Sequence, residues 1–313
     1  MILSASRRTD IPAFYTPWFM NRIRAGFLLV RNPFNAHQIS RISLLPSEVD
    51  AIVFWTRNPQ MLMTHLDELD SLGYRYYFQY TITGYPKLLE HSVPRPHRAI
   101  ATFSELSDRI GKDRVIWRYD PILLSNIVDL DEHKRLFKKI ASMLEGKTSR
   151  VVISFADLYK KTERNLDVIS ELEYKDILHE QQSVLDLSSY MSEVASAHGM
   201  EIESCAEGLD LSQVGVSHGK CIDDALLMKL FGISLSERKD SGQRAECGCI
   251  RSVDIGVYNT CLHGCSYCYA TYSQSSVLKN KAKHDPRSPF LIGGTEGVST
   301  ELLCPEVIQG SLF

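Results

Sequence analysis

Six short apolar runs, each followed by a segment of helical spacing, govern what residues 1 to about 205 can fold into. The runs are MILSAS, DAIVFWT, YYFQYTI, RVIWRYDPI, RVVISFADL and MEIESCAE. Each is rich in β-branched or aromatic residues and bounded by polar or turn residues, as strands buried in a parallel sheet are. Between them the apolar residues change period. Ile100, Phe103, Leu106 and Ile110 share a helical face before Gly111; Leu136, Phe137, Ile140 and Leu144 do so before Gly146; Val184, Leu187, Met191 and Val194 do so before Gly199. A glycine just past the last apolar position is a common helix stop. Strand-then-helix repetition calls for a parallel sheet covered by helices. A seventh run, RSVDIGVY, tips the expectation toward an α/β fold of the TIM-like (β/α) barrel kind, complete or partial. One segment departs from the rhythm: FLLVRNPFNAHQISRISL reads as two strands around NPFN, a hairpin ahead of DAIVFWT. Neither a low-complexity linker nor a short-period repeat interrupts the chain. It is therefore expected to form one domain, with residues 1–250 as the barrel and 251–313 as a strand, loop and C-terminal segment packed on it.

Composition narrows the function classes. The 313 residues are 44% hydrophobic and 23% charged, with a formal net charge of −3. That is an ordinary profile for a chain with a sizeable core. It gives no overall pull toward nucleic acid or an acidic membrane. The basic stretches YKKTERN and KNKAKHDPR read as solvated faces, so a nucleic-acid partner is unsupported by charge. No apolar run is long enough to span a bilayer, and MILSASRRTDIP lacks the layout of a signal peptide. The expected location is cytoplasmic, with no membrane partner. In that compartment the eight cysteines point to metal or catalytic use rather than structural disulfides.

A parallel barrel carries its active site at the C-terminal ends of the strands. The polar residues there are Arg7, Arg8 and Asp10; Thr56 and Arg57; Gln79 and Thr81; Arg118 and Asp120; Ser154 and Asp157; Glu203, Cys205 and Glu207. Singly, each has a structural reading: an Asp before Pro caps a turn, and an Arg pairs with a neighbouring carboxylate. Together they mark the mouth of a polar pocket. Arg7, Arg118 and Asp120 are the catalytic candidates.

Cys261, Cys265 and Cys268 stand in NTCLHGCSYCYA, three and then two residues apart. Three thiolates on one loop leave a metal position open. Structural zinc is usually closed by four ligands, whereas catalytic metals keep a place for water or substrate. Iron–sulfur clusters are the other thiolate-bound class. The competing reading is zinc with His263 or a distant cysteine as fourth ligand.

The stretch NTCLHGCSYCYA resembles the cysteine loop of the radical S-adenosylmethionine superfamily, most of all its spore photoproduct lyase-like branch. The whole chain also resembles an uncharacterised bacterial domain family with its cysteine cluster at the C-terminus, through SASRRTDIP, FWTRNP, WRYDPILL, SFADLYKKTERN and HDPRSP. The first resemblance implies that Cys261, Cys265 and Cys268 bind three irons of a 4Fe-4S cluster. The amino and carboxylate groups of S-adenosylmethionine would bind the fourth. It implies that Tyr267 packs near the adenine, against an equally good reading as simple loop packing. It also implies that the reduced cluster cleaves the cofactor to a 5′-deoxyadenosyl radical, which abstracts hydrogen from a substrate, and that a low-potential donor such as ferredoxin or flavodoxin supplies the electron. The superfamily normally carries this loop after its first barrel strand. Here the strand-then-loop order is kept but moved to the C-terminal end, which neighbouring first and last strands permit. SASRR then takes the place that contacts the amino-acid part of the cofactor, making Ser6 and Arg8 cofactor-binding candidates beside Tyr267.

Cys205, Cys221, Cys247 and Cys249 are enough for a second site, iron–sulfur or zinc; alternatively Cys205 and Cys221 are buried as small apolar residues. Cys304 reads as structural. Three functions of different class compete: a radical S-adenosylmethionine enzyme acting on an unknown small-molecule or macromolecular substrate; a non-catalytic iron–sulfur or zinc protein such as an electron carrier or interaction module; and a barrel hydrolase or lyase with structural zinc.

Overall fold

In the computed structural model, which describes residues 1–33, 35–235 and 239–303, the apolar runs become strands of one eight-stranded, all-parallel sheet. In chain order the strands are β1 (Ile2–Ala5), β2 (Ala51–Thr56), β3 (Tyr76–Thr81), β4 (Val115–Ile122), β5 (Arg150–Phe155), β6 (Glu201–Ser204), β7 (Ser217–His218) and β8 (Val253–Asp254). Across the sheet the order is β7-β6-β5-β4-β3-β2-β1-β8. The last strand thus returns beside the first, with Leu3 opposite Val253 and Ser4 opposite Asp254. The expected hairpin is present as Phe27–Asn32 paired antiparallel with Asn35–Ser43. Cys304 lies outside the described residues.

Alternation along the strands explains the two faces. Leu3, Ile52, Phe54, Phe78, Trp117, Tyr119, Ile153 and Phe155 point into one large core. It is built with α1 (Thr16–Ala25), α2 (Pro96–Ile110), α3 (Leu130–Met143) and α4 (Gln181–Ala197). Of these helices α2, α3 and α4 carry the apolar stripes read from the sequence. Gly111, past Ile110, closes its helix by donating its N–H to the Ser107 carbonyl at 2.8 Å.

The other face corrects the barrel expectation. In a TIM barrel the inward side chains of the strands fill the interior themselves, and the sheet has no edges. Here the described residues show no pairing between β7 and β8, so the sheet is open. Ile2, Ala51, Val53, Tyr77, Ile116 and Val152 instead pack against the 205–250 segment, chiefly Ile222, Leu226, Leu227, Ile233 and Ile250. Leu226 and Leu227 lie on α5 (Asp224–Phe231). The physical reason is the shortness of β7 and β8, two residues each: they offer too few ladder bonds to close a cylinder, and an inserted helix covers the face. The fold is an α/β arrangement around an open parallel sheet.

Along this second face the side chains change character. The N-terminal halves of the strands are apolar and sit under α5; the C-terminal ends present Trp55, Arg118, Asp120 and Ser154 to a cavity. The C-terminal segment is tied to the body by Trp18 Nε1 donating to the Ser288 carbonyl at 3.0 Å and Leu29 N–H to the Pro289 carbonyl at 2.9 Å.

Candidate functional site

The cavity measures about 790 Å³ and opens at the C-terminal ends of the strands. Seven cysteines line it: Cys261, Cys265 and Cys268 in one group, and Cys205, Cys221, Cys247 and Cys249 in another. All seven are free.

The three-cysteine loop leaves β8 past Gly256, where the chain runs close against the Ser6 side chain. A Cβ on Gly256 would stand 1.9 Å from Ser6 Oγ, far inside any tolerable contact. Asp254, on β8, gathers the end of β1. It accepts from Ser4 Oγ at 2.9 Å, Ser6 Oγ at 2.7 Å and Arg7 N–H at 2.8 Å. Asn259, with φ of 58°, closes the loop by donating its N–H to the Ala270 carbonyl at 2.9 Å. The loop then docks on the chain that follows β3. Ser266 N–H donates to the Leu89 carbonyl at 2.9 Å, and Ser92 N–H to the His263 carbonyl at 2.8 Å.

A buried polar network supports this loop. Arg57 Nη1 donates to Glu90 Oε1 at 2.7 Å, and Arg57 Nη2 to the Tyr267 hydroxyl at 2.6 Å; Tyr267 in turn donates to Glu90. Asp10 Oδ2 accepts from Arg57 N–H at 2.7 Å and from His263 Nε2 at 2.7 Å. His263 Nδ1 is buried without a hydrogen-bond partner. Burial opposes charge on Arg57, but Glu90, Tyr267 and Cys265 together outweigh it and hold the guanidinium firmly charged. Burial pushes the Cys261 thiol well up, and pushes Cys265 up to about 12 against the pull of Arg57. Without a bound metal these two are thiols, so loading the site releases protons.

The opposite wall belongs to β4. Arg118 Nε donates to Asp120 Oδ2 at 3.0 Å, Nη1 to Gln79 Oε1 at 3.3 Å, and Nη1 to Cys221 Sγ at 2.7 Å. Ser154 Oγ donates to Asp120. Against burial, Arg118 keeps the Asp120 carboxyl below the usual range. Arg7 and Arg118 both stand over the Trp55 indole, at 5.1 and 5.2 Å from its centre.

The structure therefore brings the sequence candidates into one place. Arg7, Arg118 and Asp120 line the cavity with the three-cysteine loop, as do Ser6, Arg8 and Tyr267. Ser6 accepts from Arg8 N–H at 2.9 Å while its own hydroxyl is spent on Asp254. The Tyr267 hydroxyl is spent on the Arg57–Glu90 pair. Glu203 stands apart from the cavity, about 3.3 Å from Arg150 Nη1. Glu90 was not among the sequence candidates. It lies outside every strand, and its partner Arg57 is 33 residues away, so no local pattern announces it.

Glu207, next to this wall, is buried and accepts from Phe155 N–H at 2.9 Å. Burial, reinforced by Asp157 and opposed by that hydrogen bond, raises its carboxyl from 4.5 to about 7. The sign follows from proton binding. Below pH 4.5 the group is protonated in both folded and unfolded states. Between 4.5 and 7 the folded state holds more protons, so stability falls as pH rises, by up to about 3 kcal/mol in total. Glu207→Gln should keep the acceptor and lose the slope. Denaturant unfolding of both proteins from pH 4.5 to 8 should show the variant gaining relative stability as pH rises; parallel curves would refute it.

An open α/β sheet with a cysteine-lined cavity at its strand ends defines a candidate metal- or cofactor-binding protein. The chain belongs to the DUF1848 family, described as a domain of unknown function, whose family model matches residues 2–270. That span takes in all seven cysteines of the cavity. A search of curated proteins gave no match. Among solved structures, a short-chain type dehydrogenase/reductase from Mycobacterium marinum is similar at 9% identity and a TM-score of 0.23, over 65% of this chain and 71% of that one; so slight a likeness has no bearing on function. No helix among the described residues is long and apolar enough to cross a membrane.

Proposed function

We propose that this protein is a radical S-adenosylmethionine enzyme, with Cys261, Cys265 and Cys268 holding a 4Fe-4S cluster. The observation that carries the reading is that three free thiols of one loop face a large cavity at the strand ends, opposite Arg118 and Asp120. The donor set fits: three soft thiolates leave one metal position for a ligand. When bound, the cluster and S-adenosylmethionine supply reductive carbon–sulfur cleavage and hydrogen-atom abstraction.

The chain's own residues supply the rest. Arg57, Glu90 and Asp10 fix the loop. Basic side chains lining the cavity outnumber carboxylates by seven to three, which favours a ligand bearing a carboxylate. Arg7, braced on Trp55 with its buried Nη2 lacking a hydrogen-bond partner, is placed to orient it, while Arg118, committed to Asp120, Gln79 and Cys221, acts as a positioning residue. Tyr267 acts as a positioning residue, since its hydroxyl is committed to the loop support. The 790 Å³ volume accommodates a nucleoside-sized cofactor together with a small substrate or one protruding group of a larger one.

One observation favours a second reading, zinc closed by His263. Its Nε2 donates to Asp10 and its buried Nδ1 is without a partner, as in carboxylate–histidine–metal arrangements. Anaerobic purification separates the two. The cluster reading expects about four irons and equal sulfide attributable to the three-cysteine loop, insensitive to His263→Ala. Zinc alone, lost in His263→Ala, would establish the alternative.

A further inference from the structure

We propose that Cys205, Cys221, Cys247 and Cys249 form a second, four-thiolate metal centre on the wall of the same cavity. Their placement is the first argument. Cys205 directly follows β6, Cys221 follows β7, and Cys247 and Cys249 precede β8. One ion or cluster shared by these four joins the chain leaving β6 and the chain leaving β7 to the segment that leads into β8.

Distances are the second argument. Cys205 Sγ lies 2.9 Å from Cys221 Sγ, too long for a disulfide bond of about 2.05 Å. Around a tetrahedral ion with metal–sulfur bonds of about 2.3 Å, two sulfurs stand about 3.8 Å apart. Among the described residues no group of three or more His, Cys, Asp or Glu already stands at holding distance from a shared centre. For Cys205 and Cys221, seating an ion therefore needs a spread of about 1 Å, within reach of small side-chain rotations.

The third argument is the donors aimed at sulfur. Arg118 Nη1 is 2.7 Å from Cys221 Sγ, and Ile222 N–H donates to Cys249 Sγ at 3.4 Å. Arg7 lines the same cavity, and its Nη2 is buried without a hydrogen-bond partner. Four thiolates around a divalent ion leave two net negative charges; Arg7 brings a positive charge, and Arg118, already paired with Asp120, brings an N–H donor. Cysteines serving only as small apolar residues need no guanidinium beside them.

The ligand class is a thiophilic metal, either a single zinc ion or an iron–sulfur cluster, and the inference does not depend on radical chemistry at the three-cysteine loop. The test uses the full chain carrying Cys261→Ala, Cys265→Ala and Cys268→Ala, which leaves the four cysteines alone. Purified anaerobically, it should retain about one zinc, or about four irons with matching sulfide, per chain. The metal found decides between the two. Adding Cys221→Ala and Cys249→Ala should lower that content at least about tenfold. In case those further variants fail to fold, the triple variant stripped of metal should take up cobalt with thiolate-to-metal charge-transfer bands. These should saturate near one equivalent and be displaced by zinc. A triple variant that carries no metal and develops no such bands overturns the proposal, whatever the three-cysteine loop does in the parent protein.

Discussion

Replacing Cys261, Cys265 or Cys268 by alanine is expected to remove the loop's metal and reduce S-adenosylmethionine cleavage by about 10³-fold or more, equivalent to about 4 kcal/mol of transition-state stabilisation. The effect is large because the three thiols are the whole protein contribution to the ligand set, and two remaining thiolates hold a cluster poorly. The fold should survive. All three residues are half-buried on a cavity wall rather than sealed in the core, and the loop is held independently by backbone bonds to Leu89, Ser92 and Ala270. Metal analysis, product assay and a thermal melt read the three quantities. A variant that keeps its iron and its activity would remove the loop from the mechanism.

The second large effect is expected in stability. Arg118 is 5% exposed and holds Asp120, Gln79 and Cys221 at once. Arg118→Met keeps the apolar bulk but leaves half-buried Asp120 without its counter-charge. Breaking such a pair from one side costs about 3 kcal/mol, the lower end for buried pairs. Arg118→Met combined with Asp120→Asn should recover part of this, because the stranded charge is gone while Ser154 still has an acceptor. Denaturant unfolding of the parent, both single variants and the double variant gives the coupling directly. A cost for Arg118→Met below about 1 kcal/mol would mean that solvent reaches the pair and screens it.

Much of the sheet is legible in the sequence because its strands are short, β-branched and bounded, and because the helices between them carry unbroken apolar stripes. The end of β1, SASRR, and the cysteine loop could also be placed near each other, since a run resembling a strand precedes the loop. Closure was not legible. The strand Ser217–His218 has no apolar signature at all, and whether two-residue strands pair depends on what covers the face between them. Here α5, an ordinary amphipathic segment in sequence, occupies the place a barrel interior would fill with its own side chains. The support beneath the loop was half legible: Asp10 and Arg57 stand at strand ends, where function is expected, while Glu90 comes from a connection with no pattern. The four outlying cysteines could be counted, but their convergence is a tertiary fact. It arises because the chain leaving β6, the chain leaving β7 and the segment leading into β8 meet at the wall of one cavity.

The most direct test of the central claim is electron paramagnetic resonance of the anaerobically prepared, chemically reduced protein, recorded with and without S-adenosylmethionine. The variant lacking Cys261, Cys265 and Cys268 serves as background for any second centre. The account predicts a reduced 4Fe-4S signal, absent from that variant, whose shape changes when S-adenosylmethionine is added, because the three-thiolate loop leaves one iron free to take the cofactor. A signal indifferent to the cofactor, or no signal beyond that of the variant, would contradict it.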